Sequence, residues 1–227
     1  MSLFAIADLH LSLSADKPMD IFKGWSDYVR RLEDNWREIV APDDTVVIAG
    51  DISWAMKLPD TAADFEFIHN LPGQKIILKG NHDLWWSTLK KMNAHLEENG
   101  FDSIRFLHNN AYPVENVCVC GSRGWFFDAE DADSKVLLRE AGRLETSIRL
   151  AKETGLEPVV FLHYPPIWGG MVCNEIMDVL VRNDIKRCYY GHIHGKNAFK
   201  TVRGEHGGIK FELISCDFTG FRPALVN

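Results

Sequence analysis

Val46-Val47-Ile48-Ala49-Gly50-Asp51 is four apolar residues closed by a glycine and a carboxylate. A short apolar run rich in Val and Ile and ended by Gly reads as a buried strand. Asp51 therefore falls just past a strand end. The same grammar repeats on both sides. Leu3–Ala7 leads into Asp8-Leu9-His10, and Ile76–Leu78 into Gly80-Asn81-His82-Asp83. Val159–Leu162 leads into His163 ahead of Tyr164-Pro165-Pro166, and Cys188–Tyr190 into Gly191-His192-Ile193-His194. Open α/β sheets place their ligands beyond strand ends, so the five clusters can converge on one site.

Segments of helical period separate these strands. Trp25, Tyr28, Val29, Leu32, Trp36, Ile39 and Val40 recur at spacings of three and four, and Pro42 stops the helix. Leu89, Met92 and Leu96 repeat the pattern up to Gly100; further helices are expected from near Asp133 to Glu153 and over about Asn174–Arg182. Ile104–Leu107, Asn116–Gly121, Ala198–Arg203 and Ile209–Ser215 look like antiparallel strands. Strand–helix alternation with antiparallel additions predicts an α/β fold of two facing mixed β-sheets with helices outside. No linker or repeat interrupts residues 1–227, which are expected to form a single domain. The acidic stretch Asp128–Asp133 reads as the first turn of a helix, where carboxylates complement the helix dipole.

Composition narrows the function. A net charge of −7 argues against non-specific nucleic-acid binding, which needs a basic surface. No apolar stretch approaches the ~20 residues of a membrane span, and Asp8 interrupts the only apolar run near the start, so no signal sequence or membrane association is expected. The expected location is cytoplasmic. The five cysteines, Cys118, Cys120, Cys173, Cys188 and Cys216, are odd in number and scattered, which does not suggest a disulfide framework. Cys118-Val119-Cys120 reads as a strand in which Cys serves as a small hydrophobe.

The motif residues are metal donors. Asp8 and Asp51 offer carboxylates, His10, His163, His192 and His194 imidazoles, and Asn81 an amide oxygen. Mixed N/O donors without thiolate suit Mn, Fe, Co or Zn better than Mg or Ca. Seven donors are too many for one tetrahedral ion and suit two ions sharing a carboxylate. Two divalent ions set against two aspartates and a bridging hydroxide leave about one net positive charge, matched to a phosphate ester anion.

With 17 Gly and 9 His, a chance Gly-His-x-His is expected on the order of 0.03 times in such a chain, so the ordered set discriminates where each motif alone is weak. Asp-x-His, Gly-Asp, Gly-Asn-His-Asp, a strand-end His and Gly-His-x-His, in this order from Asp8 to His194, resemble the calcineurin-like metallophosphoesterase superfamily. The resemblance implies an α/β/β/α sandwich with a binuclear metal site at the strand ends. It implies that Asp8, His10 and His194 bind one ion, that Asn81, His163 and His192 bind the other, and that Asp51 bridges them. It also implies that His82 protonates the leaving oxygen as general acid, with Asp83 orienting it. His69, His95, His108 and His206 match no motif and read as solvated or structural.

Departures from better-defined groups shape the expectation of substrate. Protein phosphatases of the superfamily typically carry Gly-Asp-x-x-Asp-Arg-Gly; here Gly50-Asp51-Ile52-Ser53-Trp54-Ala55-Met56 lacks the arginine. Purple acid phosphatases place a Tyr where this chain has Trp54, and lipid A pathway hydrolases an Arg where it has His82. A bacterial phosphodiesterase or phosphohydrolase acting on a small phosphoester is expected, with phosphodiesters favoured. The alternatives are a phosphomonoesterase or protein phosphatase, or a non-catalytic metal-binding scaffold. Trp54, Trp85, Trp86 and Trp168 follow motif residues closely, and Trp125 lies beside Arg123 in the interval between His82 and His163. These tryptophans are candidate pocket walls for a nucleobase or aryl group. Arg123 is a candidate grip for a second phosphate or the far side of the substrate.

Overall fold

Each apolar run that precedes a motif forms a strand, and the strands divide into two sheets. The computed structural model describes residues 1–125 and 134–226. The first sheet contains β1 (Leu3–Ile6), β2 (Thr45–Ala49), β3 (Gln74–Leu78) and β4 (Ile104–Phe106), all parallel. In the second, β5 (Tyr112–Val114) runs antiparallel to β6 (Val117–Ser122), which pairs in parallel with β7 (Glu157–Leu162). A short hairpin, β8 (Ile167–Trp168) and β9 (Met171–Val172), stands apart. β10 (Arg187–Tyr190) lies between β7 and β12 (Ile209–Leu213), and β11 (Gly204–His206) closes that edge antiparallel. β13 (Ala224–Leu225) returns antiparallel beside β1.

Period-two alternation decides which side chains face which layer. Leu3, Ala5, Ala7, Val47, Ala49, Ile76 and Leu78 point between the sheets and meet Val119, Val159, Phe161 and Tyr189. Phe4, Ile6, Val46, Ile48 and Ile77 point outward under α1 (Tyr28–Ile39), α2 (Ala62–Asn70) and α3 (Leu89–Asn99), against Leu32, Trp36, Phe65 and Met92. On the opposite outer face, Cys118, Cys120, Val160, Leu162 and Cys188 pack under α4 (Ser134–Glu153) and α5 (Asn174–Arg182), with Leu144, Ile148, Ile176 and Leu180. Complete burial of one such large apolar side chain contributes about 1.5–3 kcal/mol. The result is the expected mixed α/β architecture of two sheets flanked by helices. Cys118 and Cys120 are buried, free thiols in the core, as their alternation predicts.

Two strand expectations need correction. Ile104–Leu107 was expected antiparallel, yet β4 pairs in parallel with β3, because α3 carries the chain back across the sheet before it re-enters. Ala198–Arg203 is no antiparallel strand: residues 195–200 form a 3-10 helix, with Phe199 exposed. α1 begins at Tyr28, so Trp25 stands before it. The stretch Asp128–Asp133 lies outside the described residues. Among the described residues, no helix is long and apolar enough to cross a membrane.

The sheets are stitched at the edge that carries the motifs. The Ala7 amide donates to the Ile214 carbonyl at 2.8 Å, and the Cys216 amide donates to the Ala7 carbonyl at 2.9 Å. The chain after β1 thus pairs with the chain after β12 directly beneath Asp8.

Candidate metal centre

The motif residues stand past the C-terminal ends of five parallel strands: Asp8 and His10 after β1, Asp51 after β2, Asn81–Asp83 after β3, His163 after β7, His192 and His194 after β10. Two donor groups form there, Asp8–His10–His194 and Asp51–His163–His192, with donor atoms inside each group within 4.8 Å of one another. Asp51 faces both groups, its Oδ2 lying 3.8 Å from His10 Nε2 and 3.5 Å from His163 Nε2. Asn81 Oδ1 joins the second group, 2.6 Å from His163 Nε2 and 2.9 Å from His192 Nδ1.

Local backbone geometry makes this convergence possible. Asp8, His10, Asp51 and His192 all adopt left-handed φ, at 62°, 47°, 52° and 71°. Such backbone costs on the order of 1–3 kcal/mol per residue and persists where surroundings over-determine it. Here the surroundings are visible: the amides of Asp8 and His10 donate to the carbonyls of Gly50 and Asp51, both at 2.9 Å. Gly191 is required by proximity, since a Cβ there would lie 2.6 Å from Asp8 Oδ2. Gly50 is required twice over, by φ 89° and by a Cβ that would meet His163 Nδ1 at 2.7 Å.

The donor set fits cations. His163 Nδ1 donates to the Ala49 carbonyl at 3.1 Å, which leaves Nε2 unprotonated and facing the Asn81 amide oxygen. Two lone pairs then point into one space, an arrangement a metal ion satisfies. Electrostatics agree. Burial pushes the Asp8 carboxyl up to about 7, with His194 pulling it down and Asp51 pushing it up. Burial likewise raises Asp51 to about 6. Burial lowers His163 to about 3 and His192 to about 2, and holds His10 well below its ordinary value. His10, His163 and His192 are thus held neutral, the state in which an imidazole takes a metal ion, while the buried Asp8 and Asp51 carboxyls become full ligands only on giving up their protons.

Around the donors, the structure assigns roles that spacing alone does not reveal. Asp217, just past β12, accepts from His194 Nδ1 at 2.8 Å and from the Gly195 amide at 2.9 Å. Like the motif carboxylates it follows an apolar strand, Ile209–Ser215, and that position was its signal in the sequence. Trp25 packs beside His10 and His194, each ring centroid 5.8 Å away. The Tyr28 hydroxyl donates to the His10 carbonyl at 2.8 Å.

Asp83 is placed differently from the expectation that it orients His82. It is fully buried, and its Oδ2 accepts from the amides of Asp51 (2.9 Å) and Gly80 (2.7 Å). Its Oδ1 accepts from Ile52 (2.8 Å), Ser53 (3.3 Å) and the Trp85 indole (3.1 Å). Its lone pairs are committed to holding two motif loops together. The His82 amide donates to Asp51 Oδ1 at 2.8 Å, and its ring makes no hydrogen bond among the described residues. That ring sits 4.5 Å from the Trp54 ring and 5.7 Å from the His10 ring.

The tryptophans divide. Trp54 is at the centre, stacked on His10 at 5.0 Å and 20°. Trp85 is a correction: at 2% exposure it belongs to the core, edge-on to Phe65 at 5.2 Å, because Asp83 gives its indole N–H a buried acceptor. Trp86 packs partly on the same core. Trp125 and Trp168 pack, partly buried, against the core under α4 and α5. The Arg123 guanidinium lies 5.7 Å from the Trp125 ring centroid. His95 and His69 are structural, bonded to Thr61 (3.2 Å) and Ser103 (2.9 Å).

The calcineurin-like phosphoesterase family model matches residues 1–196. The chain belongs to that family. Membership in the calcineurin-like phosphoesterases implies metal-dependent phosphoester hydrolysis, and the two donor groups fit the family's pair of metal ions. Solved structures share the fold. A phosphopantetheinyl hydrolase from Mycobacterium tuberculosis is 14% identical with a TM-score of 0.54, covering 100% of this chain and 96% of that one. A protein of Thermus thermophilus, TT1561, is 13% identical with a TM-score of 0.58, covering 99% and 97%. AQ665 from Aquifex aeolicus, described as a protein of unknown function, is 17% identical with a TM-score of 0.51, covering 99% and 95%. No curated protein matches the chain significantly.

Proposed function

We propose that this calcineurin-like phosphoesterase is a two-metal hydrolase of phosphodiesters in which His82 protonates the leaving oxygen. The observation that carries the reading is the pair of donor groups meeting at Asp51 beside His82, whose ring makes no hydrogen bond among the described residues. Asp8, His10 and His194 would hold one ion, Asn81, His163 and His192 the other, and Asp51 both. Mn, Fe, Co or Zn fits these donors. When bound, such ions supply Lewis acidity and lower the pKa of water towards neutrality.

The remaining work falls to the chain. Asp83 holds the Asp51 and Gly80 loops in register through backbone amides, and Asp217 fixes the His194 ring. Trp54 covers one face of His10 and flanks His82, excluding water from that side. His82, its ring 5.7 Å from that of His10, would deliver the proton to the leaving oxygen. The loop after Asp51 presents Trp54 and no arginine, so no guanidinium stands there to offset the second charge of a monoester; this supports a diester. Trp54 also supports a preference for an aryl or nucleobase group. Five buried free thiols fit a cytosolic setting.

Metal analysis of the purified protein, with hydrolysis of bis-p-nitrophenyl phosphate against p-nitrophenyl phosphate, tests this reading. Two equivalents of metal and faster diester cleavage are expected. His82→Ala should keep the metal and lose about 10²–10⁴-fold in turnover on an alkoxide leaving group, and less on p-nitrophenolate. Equal losses on both leaving groups, or loss of metal, would remove His82 as general acid.

A further inference from the structure

A cavity of about 520 Å³ opens beside the centre, between the ends of β3 and β6, the residues after β4, the start of α3 and the first half of α4. It is lined by Lys79, Arg123, Arg139 and Arg143 with one carboxylate, Glu140, and by the Trp86 ring. In a chain of net charge −7, four cations around one acid are a local feature and not a reflection of composition. Glu140 is buried and pairs with Arg143 at 2.5 Å and with Arg123 Nη2 at 3.7 Å, so it aims two guanidinium groups. Lys79 and Arg139 make no ion pair among the described residues, and the buried Arg123 Nε has no hydrogen-bond partner there.

The lining of this cavity adjoins two of the donor loops along the backbone. Lys79 stands two residues before Asn81. The Arg123 carbonyl accepts the amides of His163 (3.2 Å) and Tyr164 (2.9 Å). Several cations on different elements suit a group with oxygens pointing several ways, and guanidinium forks match phosphate geometry. The volume is within the usual range for small-ligand sites.

We propose that this cavity binds a second phosphoryl group of the substrate, held by Lys79, Arg123, Arg139 and Arg143, so that preferred substrates carry one phosphoryl group at the metal centre and another here. The proposal rests on the phosphoesterase reading and specifies its substrate class. The test uses the full-length, metal-loaded chain and two aryl phosphodiesters that differ only by an added terminal phosphate. The added phosphate should raise kcat/KM by about tenfold or more, the effect of one charge-assisted hydrogen bond. Arg139→Glu should bring the two substrates to about the same kcat/KM, and Arg143→Gln should shrink the gap. Calorimetric titration with inorganic phosphate should lose one equivalent of binding in Arg139→Glu. An equal kcat/KM for both substrates in the wild type overturns the proposal, as does a gain that survives both substitutions. Phosphate binding in the cavity without a rate gain makes it a site for a free anion and overturns the substrate assignment. If neither diester is cleaved, the metal-centre reading fails on its own, and the calorimetry still decides whether the cavity grips phosphate.

Discussion

Replacing Asp83 by Asn tests the idea that one buried carboxylate assembles the centre without touching a metal. Oδ2 serves the amides of Asp51 and Gly80, and Oδ1 serves Ile52, Ser53 and the Trp85 indole. An amide keeps one oxygen. Whichever way Asn faces, its NH2 meets at least two buried N–H groups that have lost their acceptor. Each orphaned buried donor costs about 1–3 kcal/mol, so Asp83→Asn should lose about 2–6 kcal/mol from a total of about 5–15. Burial pushes Asp83 up to about 7, with Asp51 adding to the rise and the amides of Gly80, Ile52 and Ser53 opposing it. Some molecules therefore carry the proton at neutral pH, and measurement at pH 8 gives the full contrast between carboxylate and amide. Urea unfolding supplies the free energy and metal analysis the second readout. The variant should bind metal poorly although the mutated group is no donor, because the Asp51 and Asn81 loops lose their common anchor. A loss below about 1 kcal/mol with metal content intact would refute the reasoning.

Three further outcomes are expected. Asp217→Asn should weaken metal binding about 10–100-fold while leaving the unfolding transition of the metal-free protein nearly unchanged; unaltered affinity would make the contact with His194 incidental. Metal binding should release protons at pH 7 and tighten from pH 6 to pH 9. Burial lowers His194, but Asp8 and Asp217 outweigh it and raise His194 to about 9, while Asp8 itself sits near 7. Both must lose protons to bind a cation, so acid competes with metal; calorimetry in buffers of different ionisation enthalpy checks the count, and a pH-independent affinity would contradict it. Trp85→Ala should cost about 3–5 kcal/mol, as large core truncations do, whereas Trp54→Ala should cost less stability and more kcat/KM. The opposite ranking in paired unfolding and rate measurements would exchange their places.

The strand ends were legible because hydrophobic runs and the polar residues that punctuate them are local signals. Asp8, Asp51 and His192 could be named as neighbours from sequence since each lies past a strand of the same kind. Strand direction was less legible. Nothing within Ile104–Leu107 says that α3 has carried the chain back to a parallel approach. Side-chain destinations were the least legible. Trp85 and Trp86 are adjacent, yet Trp85 turns under the loop because an acceptor waits there, on a carboxylate that the family resemblance had allotted to His82. Asp217 was passed over although it stands at a strand end, because no second motif residue accompanies it.

The two sheets each own part of both donor groups. Asp8 and His10 come from the first sheet and His194 from the second; Asp51 comes from the first, His163 and His192 from the second. An ion in either group is therefore a rivet through the layer between the sheets, added to the two backbone bonds at Ala7. With both groups filled, prying the sheets apart would mean ejecting both rivets, and the strength of the seam would then depend on metal supply. At a free metal concentration of 1,000 times the dissociation constant, each independent site adds about 4 kcal/mol to the folded state. Without metal the molecule would be looser along the edge that carries the donor groups.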